Sequence, residues 1–525
     1  MSGAPLRTVR APNGLVASAD HLATSAGVAV LADGGNPLDA ALATNAVLAV
    51  TGPHLCGMGG DLFALVHVDG DIVALDASGR AGSGADAAAL RDAGHTTMPF
   101  RLHPAAITVP GCVDGWIALH ERFGSLPLER LLAPAAGLAE HGFPASPLLV
   151  GSLHNVGATA RHHLSELSTQ ATRPGVRVRR PGTATALRSI AADGRDGFYG
   201  GAFGAGLLAI AEGQITAADL ATSQADWVAP LSASALGVDL HTVPPGSQGY
   251  LTLGACRLAE RLDLPDDPRH PRWANLLIEA AVAAAADRPA VLHDEADGEH
   301  LLQAIDDRLA DVDPGRASRT TAPAAGGDTT YLCAAGLDRA GRAMAVSLIQ
   351  SNASGFGSHL VEPSTGINLH NRGIGFSLEP GHPAELTPGR RPPHTLSPVV
   401  ATRGADLAAV FGTMGGDAQP QILLQLAVRM FHHGQTPARA IDAGRWALRA
   451  ETGFDTWTSP GTTVVVEEHA ADEWAGPLRD LGHRVEIAPS YDSAFGHAQA
   501  ITVDRHGMFA GAADPRAVIG SCAGR

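Results

Sequence analysis

The chain contains no lysine, and all 37 of its basic residues are arginine. A pyridoxal Schiff base, a phosphate-cradling P-loop, a protein-kinase strand lysine and a Ser–Lys dyad each need a lysine amine, so all four chemistries are excluded. Cysteine is scarce. Cys56, Cys112, Cys256, Cys333 and Cys522 are widely spaced with no C-x-x-C pair, which argues against zinc, iron–sulfur or thiol-exchange sites and for small buried hydrophobes. Aromatics make up only 4% and charged residues 17% of the 525 positions, whereas Gly (62) and Pro (35) are abundant. That balance describes a globular protein with a core of Ala, Val and Leu and many short elements. No apolar run approaches the roughly 18 residues of a membrane helix, and the N-terminal MSGAPLRTVRAPNG lacks an apolar segment, so a cytoplasmic location and no membrane partner are expected. The net charge of −16 argues against nucleic acid as a partner, which leaves small-molecule chemistry.

Local signals divide the chain. Ala19 to Thr51 reads as two Ala-rich helices broken by Asp33-Gly34-Gly35-Asn36-Pro37, a cluster that stops one helix and caps the next. Leu62–Val68 and Ile72–Asp76 flank Asp69-Gly70-Asp71 and predict a hairpin. Helical patterns dominate from Val113 to about Ala211 and recur near Leu251–Leu262 and Trp273–Asp287, so the first 310 residues read as mixed but mostly α. Asp311–Asp328 has no apolar periodicity and reads as an exposed linker. A second hairpin is expected from Thr329, with Thr329–Ala335 and Ala343–Ile349 as its arms. Further β-prone runs follow at Pro398–Thr402, Leu407–Phe411, Thr462–Val466, Arg484–Ile487 and Ala500–Val503, with a helix near Gln421–His432.

Several motifs lead nowhere. There is no G-x-S-x-G elbow, and Pro245-Gly246-Ser247-Gln248-Gly249 fits a turn. The run from His293 to His300 mixes metal-ligand types without EF-hand or H-E-x-x-H spacing and reads as a solvated acidic loop. His162-His163 and His432-His433 are adjacent, so on a helix each pair diverges by about 100° and cannot share a metal, and they read as surface histidines.

Gly326-Gly327-Asp328-Thr329-Thr330 is more informative. A glycine pair, a short polar residue and a hydroxyl at the start of a strand suit an N-terminal nucleophile precursor. In that chemistry the Thr Oγ attacks the preceding carbonyl, the chain is cut, and the freed α-amine, with a pKa near 8, serves as the base for its own hydroxyl. The same letters also suit an ordinary glycine loop entering a strand, because threonine is β-prone. Phe411-Gly412-Thr413-Met414-Gly415-Gly416-Asp417 lies between a β-run and a helix, where backbone amides can hold an oxyanion or simply make a turn.

Taken together, the segments resemble the γ-glutamyltranspeptidase family of N-terminal nucleophile hydrolases over nearly the full length. Gly35-Asn36-Pro37-Leu38-Asp39-Ala40-Ala41 and Gly57-Met58-Gly59-Gly60-Asp61 are similar to the family's first helix pair and glycine loop. Val109-Pro110-Gly111, Gly197-Phe198-Tyr199-Gly200, Thr216-Ala217-Ala218-Asp219-Leu220 and Pro244-Pro245-Gly246-Ser247 follow in the family's order. Asp328-Thr329-Thr330-Tyr331 resembles the self-processing junction. The resemblance implies a four-layer αββα sandwich of the α/β (α+β) class. Residues 1–328 and 329–525 would build it jointly as a large and a small subunit, a heterodimer able to pair further. It also implies Thr329 as nucleophile, Gly415 and Gly416 as oxyanion donors, and no cofactor or metal.

The glutamyl pocket departs from the family pattern. Where the family places its carboxylate-binding arginine, this chain has Ser78-Gly79-Arg80-Ala81-Gly82, with Arg80 two positions late. The amine-binding Gln and Asp fall at Arg372 and Gly375, the paired serines at His394 and Thr395, and the helper threonine at Ile349, with Ser347 two residues earlier. An ammonium beside Arg372 would be repelled. Asn371-Arg372-Gly373, Pro393-His394-Thr395-Leu396 and Gly415-Gly416-Asp417-Ala418-Gln419-Pro420-Gln421 look like the branch that includes oxamate amidohydrolase. The resemblance therefore implies hydrolysis of an amide with a small anionic acyl group, contacted by Arg372, Asn371, Ser351, His394, Thr395 and Arg80. Arg372 also fits a structural ion pair. A glutathione hydrolase or γ-glutamyltransferase, a cephalosporin-type acylase and an unprocessed, non-catalytic binding relative remain alternatives.

Overall fold

The computed structural model describes residues 5–318, 329–449 and 463–525. Its N-terminal helices form where the turn cluster puts them. Asn36 Oδ1 accepts the Asp39 N–H at 2.9 Å, and Asp39 Oδ2 accepts the Asn36 N–H at 3.0 Å. This reciprocal cap, with Pro37 in the first turn, starts helix Pro37–Thr51, whose every side chain is buried. Helix His21–Ala32 precedes it, capped by Asp20, which accepts the Leu22 N–H.

Two seven-stranded sheets make the centre of the molecule. One runs in the order Ser521–Gly524, Gly14–Ser18, Thr330–Leu337, Ala343–Ser351, Asp61–Val68, Asp71–Ala77, Asp226–Val228. The other runs Val9–Ala11, Phe509–Ala513, Ala498–Val503, Asp406–Thr413, Val399–Arg403, Val238–Thr242, Leu231–Ala235. Every pairing in both is antiparallel.

The period-two alternation of a strand explains the layering. In Thr330–Leu337, Tyr331, Cys333 and Ala335 point into a core shared with Val400, Val410 and Ile501 of the facing sheet. Leu332 and Ala334 point the other way, onto helix Pro37–Thr51. Across the molecule Val399, Ala409, Phe411 and Ala500 turn outward onto helices Gly249–Glu260, Pro271–Ala285 and Gln419–Ala427. The result is the expected αββα sandwich, and residues on both sides of Thr329 contribute strands to each sheet.

Both predicted hairpins are present, as Asp61–Val68 with Asp71–Ala77 and as Thr330–Leu337 with Ala343–Ser351. The first 310 residues are mixed but mostly α, as expected, and seven strands of the two sheets lie among their helices. Several are only three to five residues long, too short for alternation to stand out against the Ala-rich background. A separate three-stranded sheet, Trp446–Arg449, Thr463–Glu467 and Val485–Ala488, carries helix Glu468–Asp480. The linker is described to residue 318, where the Ser318 N–H donates to Glu279 and the Ala317 N–H to the Leu481 carbonyl. Its remainder, with Gly326, Gly327 and Asp328, lies outside the described residues.

Candidate active site

Thr329 stands immediately before strand Thr330–Leu337 and is 1% exposed. Its register partner strand delivers a second hydroxyl to it. Thr330 lies opposite Gln350, so Ser351 at the end of Ala343–Ser351 flanks Thr329, and Thr329 Oγ1 donates to Ser351 Oγ at 3.2 Å. Ser351 Oγ is itself held by the Ala353 N–H at 2.8 Å. Ser347 and Ile349, on the same face of that strand, are further in. Ile349 belongs to the inter-sheet core, and Ser347 Oγ meets Tyr331 Oη at 2.8 Å. The hydroxyl at Thr329 is therefore supplied by Ser351, and not by the two positions nearest the family's helper threonine.

On its other side Ser351 pairs with Asp61, the first residue of strand Asp61–Val68. Asp61 is fully buried and gathers a guanidinium and two imidazoles. Arg372 donates Nε to its Oδ2 at 2.7 Å and Nη2 to its Oδ1 at 3.4 Å. His394 Nε2 lies 2.7 Å from Oδ2, and His370 Nδ1 lies 3.5 Å away. Because the Leu396 N–H donates to His394 Nδ1, the ring proton sits on Nε2 and points at the carboxylate. Burial works to raise the Asp61 pKa, but the Arg372 guanidinium and His394 outweigh it and hold the carboxyl well below its usual range. Burial, followed by Arg372, brings His394 down to about 4, so it is neutral at physiological pH.

Arg372 is 2% exposed, in a single turn Arg372–Gly375. Its Nη1 edge faces Thr395 Oγ1 at 3.5 Å. The Asn371 side chain is committed to structure: Oδ1 accepts from the Ser354 N–H and hydroxyl, and Nδ2 donates to the Phe100 carbonyl at 2.9 Å. Phe100 also lines an adjoining cleft of about 1000 Å3 whose apolar wall includes Met98, Ile374 and Phe376.

Gly415 and Gly416 follow strand Asp406–Thr413, which packs on the Thr329 strand so closely that a Cβ at Gly412 would stand 2.2 Å from the Tyr331 ring. Their φ values of 138° and 55° lie where L side chains are strained. The carbonyls of Met414 and Gly415 are engaged, by Thr413 Oγ1 at 2.7 Å and the Ala418 N–H at 3.0 Å. A trans peptide points its N–H away from its C=O. The Gly415 and Gly416 N–H groups thus face the opposite side, and among the described residues neither has a protein acceptor.

Two side chains from earlier in the sequence fix this turn. Gln248 Nε2 bridges the Gly416 carbonyl at 3.0 Å and the Thr395 carbonyl at 2.9 Å. Arg288 donates to Asp417 at 2.8 Å, both side chains being at most 1% exposed. Thr329, Ser351, Asp61, Arg372, His394, Thr395, Gln248 and Gly416 thereby form one run of contacts. Arg80 stands outside it, half-buried against Asp226 and Gln224.

Sequence reasoning missed Asp61 as the hub, although a lone carboxylate opening the apolar strand DLFALVHV was the available signal. It also passed over Gln248, reading its segment correctly as a turn. In the acidic His293 run Asp294 and Glu295 both pair with Arg390, and Asp297 caps helix Gly298–Asp306. His433 is half-buried and takes the Trp273 Nε1–H at 2.9 Å, which corrects its reading as a surface histidine. Four of the five cysteines are buried and Cys522 is partly so; burial pushes their thiols up.

The sequence pattern of the Gamma-glutamyltranspeptidase family matches residues 23–523. The oxamate amidohydrolase proenzyme of Klebsiella pneumoniae is 36% identical, over 96% of this chain and 97% of its own. The glutathione hydrolase-like YwrD proenzyme of Bacillus subtilis is 34% identical over the same shares. Among solved structures, the cephalosporin acylase from Bacillus halodurans superposes with a TM-score of 0.90 at 32% identity, covering 100% of this chain and 98% of that one.

Proposed function

Because this chain belongs to the γ-glutamyltranspeptidase family and is a hydrolase/acyltransferase of that family, we propose that it is a self-processing threonine amidohydrolase acting on an amide with a small anionic acyl group. Cleavage between Asp328 and Thr329 frees the Thr329 α-amine. That amine takes the proton of Thr329 Oγ1 as the oxygen attacks the amide carbonyl, and the oxyanion settles against the Gly415 and Gly416 N–H groups. Collapse expels ammonia or an amine, which carries away the proton, and leaves an acyl ester on Thr329. Water, activated by the same amine, then hydrolyses the ester. Every group in this cycle is supplied by the chain itself.

One observation carries the substrate reading: Arg372 stands beside the Thr329–Ser351 pair in the company of a carboxylate it does not exhaust. Asp61 takes the Nε and Nη2 side, leaving the Nη1 edge and Thr395 for a substrate carboxylate. With Asp61 alongside, the pair is neutral overall, so recognition relies on directed hydrogen bonds more than on net field. An ammonium gains nothing from Asp61, whose oxygens are already occupied by Arg372 and His394. The similarity to an oxamate amidohydrolase points the same way.

A second reading, an acylase for bulkier amides, is favoured by the 1000 Å3 cleft beside Phe100 and by the likeness to a cephalosporin acylase. A panel of oxamate, other short acidic amides, glutathione and a bulky acyl amide, read as released ammonia or amine, separates the cases. The proposal expects the acidic amides to show the highest kcat/KM, and Arg372→Lys to raise their KM. Equal or better turnover of glutathione would reject it in favour of a glutathione hydrolase, and better turnover of the bulky amide in favour of an acylase.

A further inference from the structure

A second cleft, of about 740 Å3, opens among the outer helices. One of its walls carries Arg429, in the short π-helical turn Val428–His432 that continues helix Gln419–Ala427. The helix starts three residues after Gly416, so Arg429 lies about 20 Å along it from the oxyanion turn at 1.5 Å per residue. The cleft is therefore a different place from the candidate active site.

Arg429 is 5% exposed, yet among the described residues it has neither a carboxylate within ion-pair distance nor a hydrogen-bond acceptor for its guanidinium. Its one close companion is the Trp273 ring, 4.6 Å from the guanidinium carbon. Its nitrogens are not enclosed by protein, so the guanidinium faces the cleft, where water or a ligand must supply its acceptors. Arginine cannot escape by losing its proton near neutral pH. The nearby acids do not answer the need. Asp267 is exposed and spent on Arg269, while Asp442 takes the Tyr491 hydroxyl at 3.1 Å and the Leu6 N–H at 3.4 Å. Asp266 and Glu473 are exposed, where water screens them.

The rest of the lining supplies matching groups. Trp273 Nε1–H donates to His433 Nε2, so the neutral His433 ring carries its proton on Nδ1 and has a donor to offer. Arg439 adds an exposed second guanidinium, and among the described residues the buried Oε1 of Gln435 has no partner. We propose that this cleft is a binding site for a small oxyanion, a carboxylate or phosphoryl group bound by Arg429 and His433, with a protonated oxygen or amine of the ligand on Gln435. The guanidinium fork matches either group in two parallel hydrogen bonds. Burial and, after it, the nearby Arg445 pull Arg429 down to about 9.

The test is a titration of the processed enzyme with inorganic phosphate and, separately, acetate, at ionic strength held constant with chloride, read by tryptophan fluorescence and by Tm. Wild type should give a saturable response to at least one of them, and the stronger arm identifies the preferred oxyanion. Arg429→Gln should weaken that response at least tenfold, whereas Arg372→Gln should leave it intact, which separates this cleft from the substrate site. Gln435→Glu builds a carboxylate into the cleft. It should raise Tm without added anion and abolish the response, so the proposal stays testable even where Arg429→Gln does not fold. No saturable response beyond that of chloride, or a wild-type response in Arg429→Gln or Gln435→Glu, would overturn the assignment.

Discussion

The tetrapeptide Met-Gly-Gly-Asp occurs twice, at Met58–Asp61 and at Met414–Asp417, and does two different jobs. At the first copy the glycines are required by crowding: a Cβ on Gly59 would lie 2.2 Å from the Asn368 carbonyl oxygen, and one on Gly60 2.1 Å from that of Ser351. At the second they are required by backbone conformation, with positive φ at both, and among the described residues their N–H groups have no acceptor. Each copy ends in a buried aspartate gripped by an arginine from the other side of Thr329. Asp61 takes Arg372 and Asp417 takes Arg288. The first copy is a packing joint and the second a donor-presenting turn. A glycine pair in a sequence reports only that a side chain is forbidden, not why.

The largest effect should come from the joint. Asp61→Asn strips the carboxylate from a buried guanidinium and two imidazoles, and removing one partner of a buried pair costs about 3–5 kcal/mol. Urea unfolding should show that loss; a change below about 1 kcal/mol would mean Arg372 is not anchored there. Gly415→Ala should act oppositely, on rate more than on stability. Displacing one oxyanion donor costs about 10²–10³ in kcat, with KM little changed. A Gly415→Ala enzyme with near-normal kcat would remove the distinction between the two copies. Gly60→Ala, by contrast, should lower stability by about 1–3 kcal/mol through overpacking.

A smaller change probes the brace. Gln248→Leu leaves the Gly416 and Thr395 carbonyls without their shared donor, a loss of about 1–3 kcal/mol for buried polar groups. It should lower kcat more than it changes KM, and a pure KM effect would assign Gln248 to substrate instead.

Acid should produce the gentlest separation. His394 is depressed to about 4 in the fold, against about 6.5 in an unfolded chain. Between those values the unfolded chain binds a proton that the folded one refuses, so stability falls as pH drops through this window. Asp61, held low, contributes stability that is present above about pH 4 and lost only below it. His54 and His497, lowered by burial to about 3 and about 4, add to the same slope. Replacing His394 by Gln should make the pH 7 to 4 slope of Tm shallower, and an unchanged slope would exclude His394 as a contributor.

Much of this was legible beforehand. The Asn36-Pro37 cap, the Asp69–Gly70 turn and the β-run from Thr329 are local signals, set by a few adjacent residues, and each produced the element expected. The edge strands Val9–Ala11 and Asp226–Val228 were not legible, because three residues carry no usable periodicity and their pairing depends on partners 150 or more positions away. The site divides in the same way. Thr329 and the glycine turn announce themselves by type and position. That Arg372 already holds Asp61, 311 positions earlier, is a fact of tertiary packing that no local pattern encodes.

If Thr329 is a nucleophile released by self-cleavage, intact mass analysis of the purified protein should find two chains, the second beginning at Thr329. A Thr329→Ala variant should stay as one inactive chain. A single uncut chain with full amidase activity, or a Thr329→Ala variant that still cuts itself and turns over substrate, would contradict it.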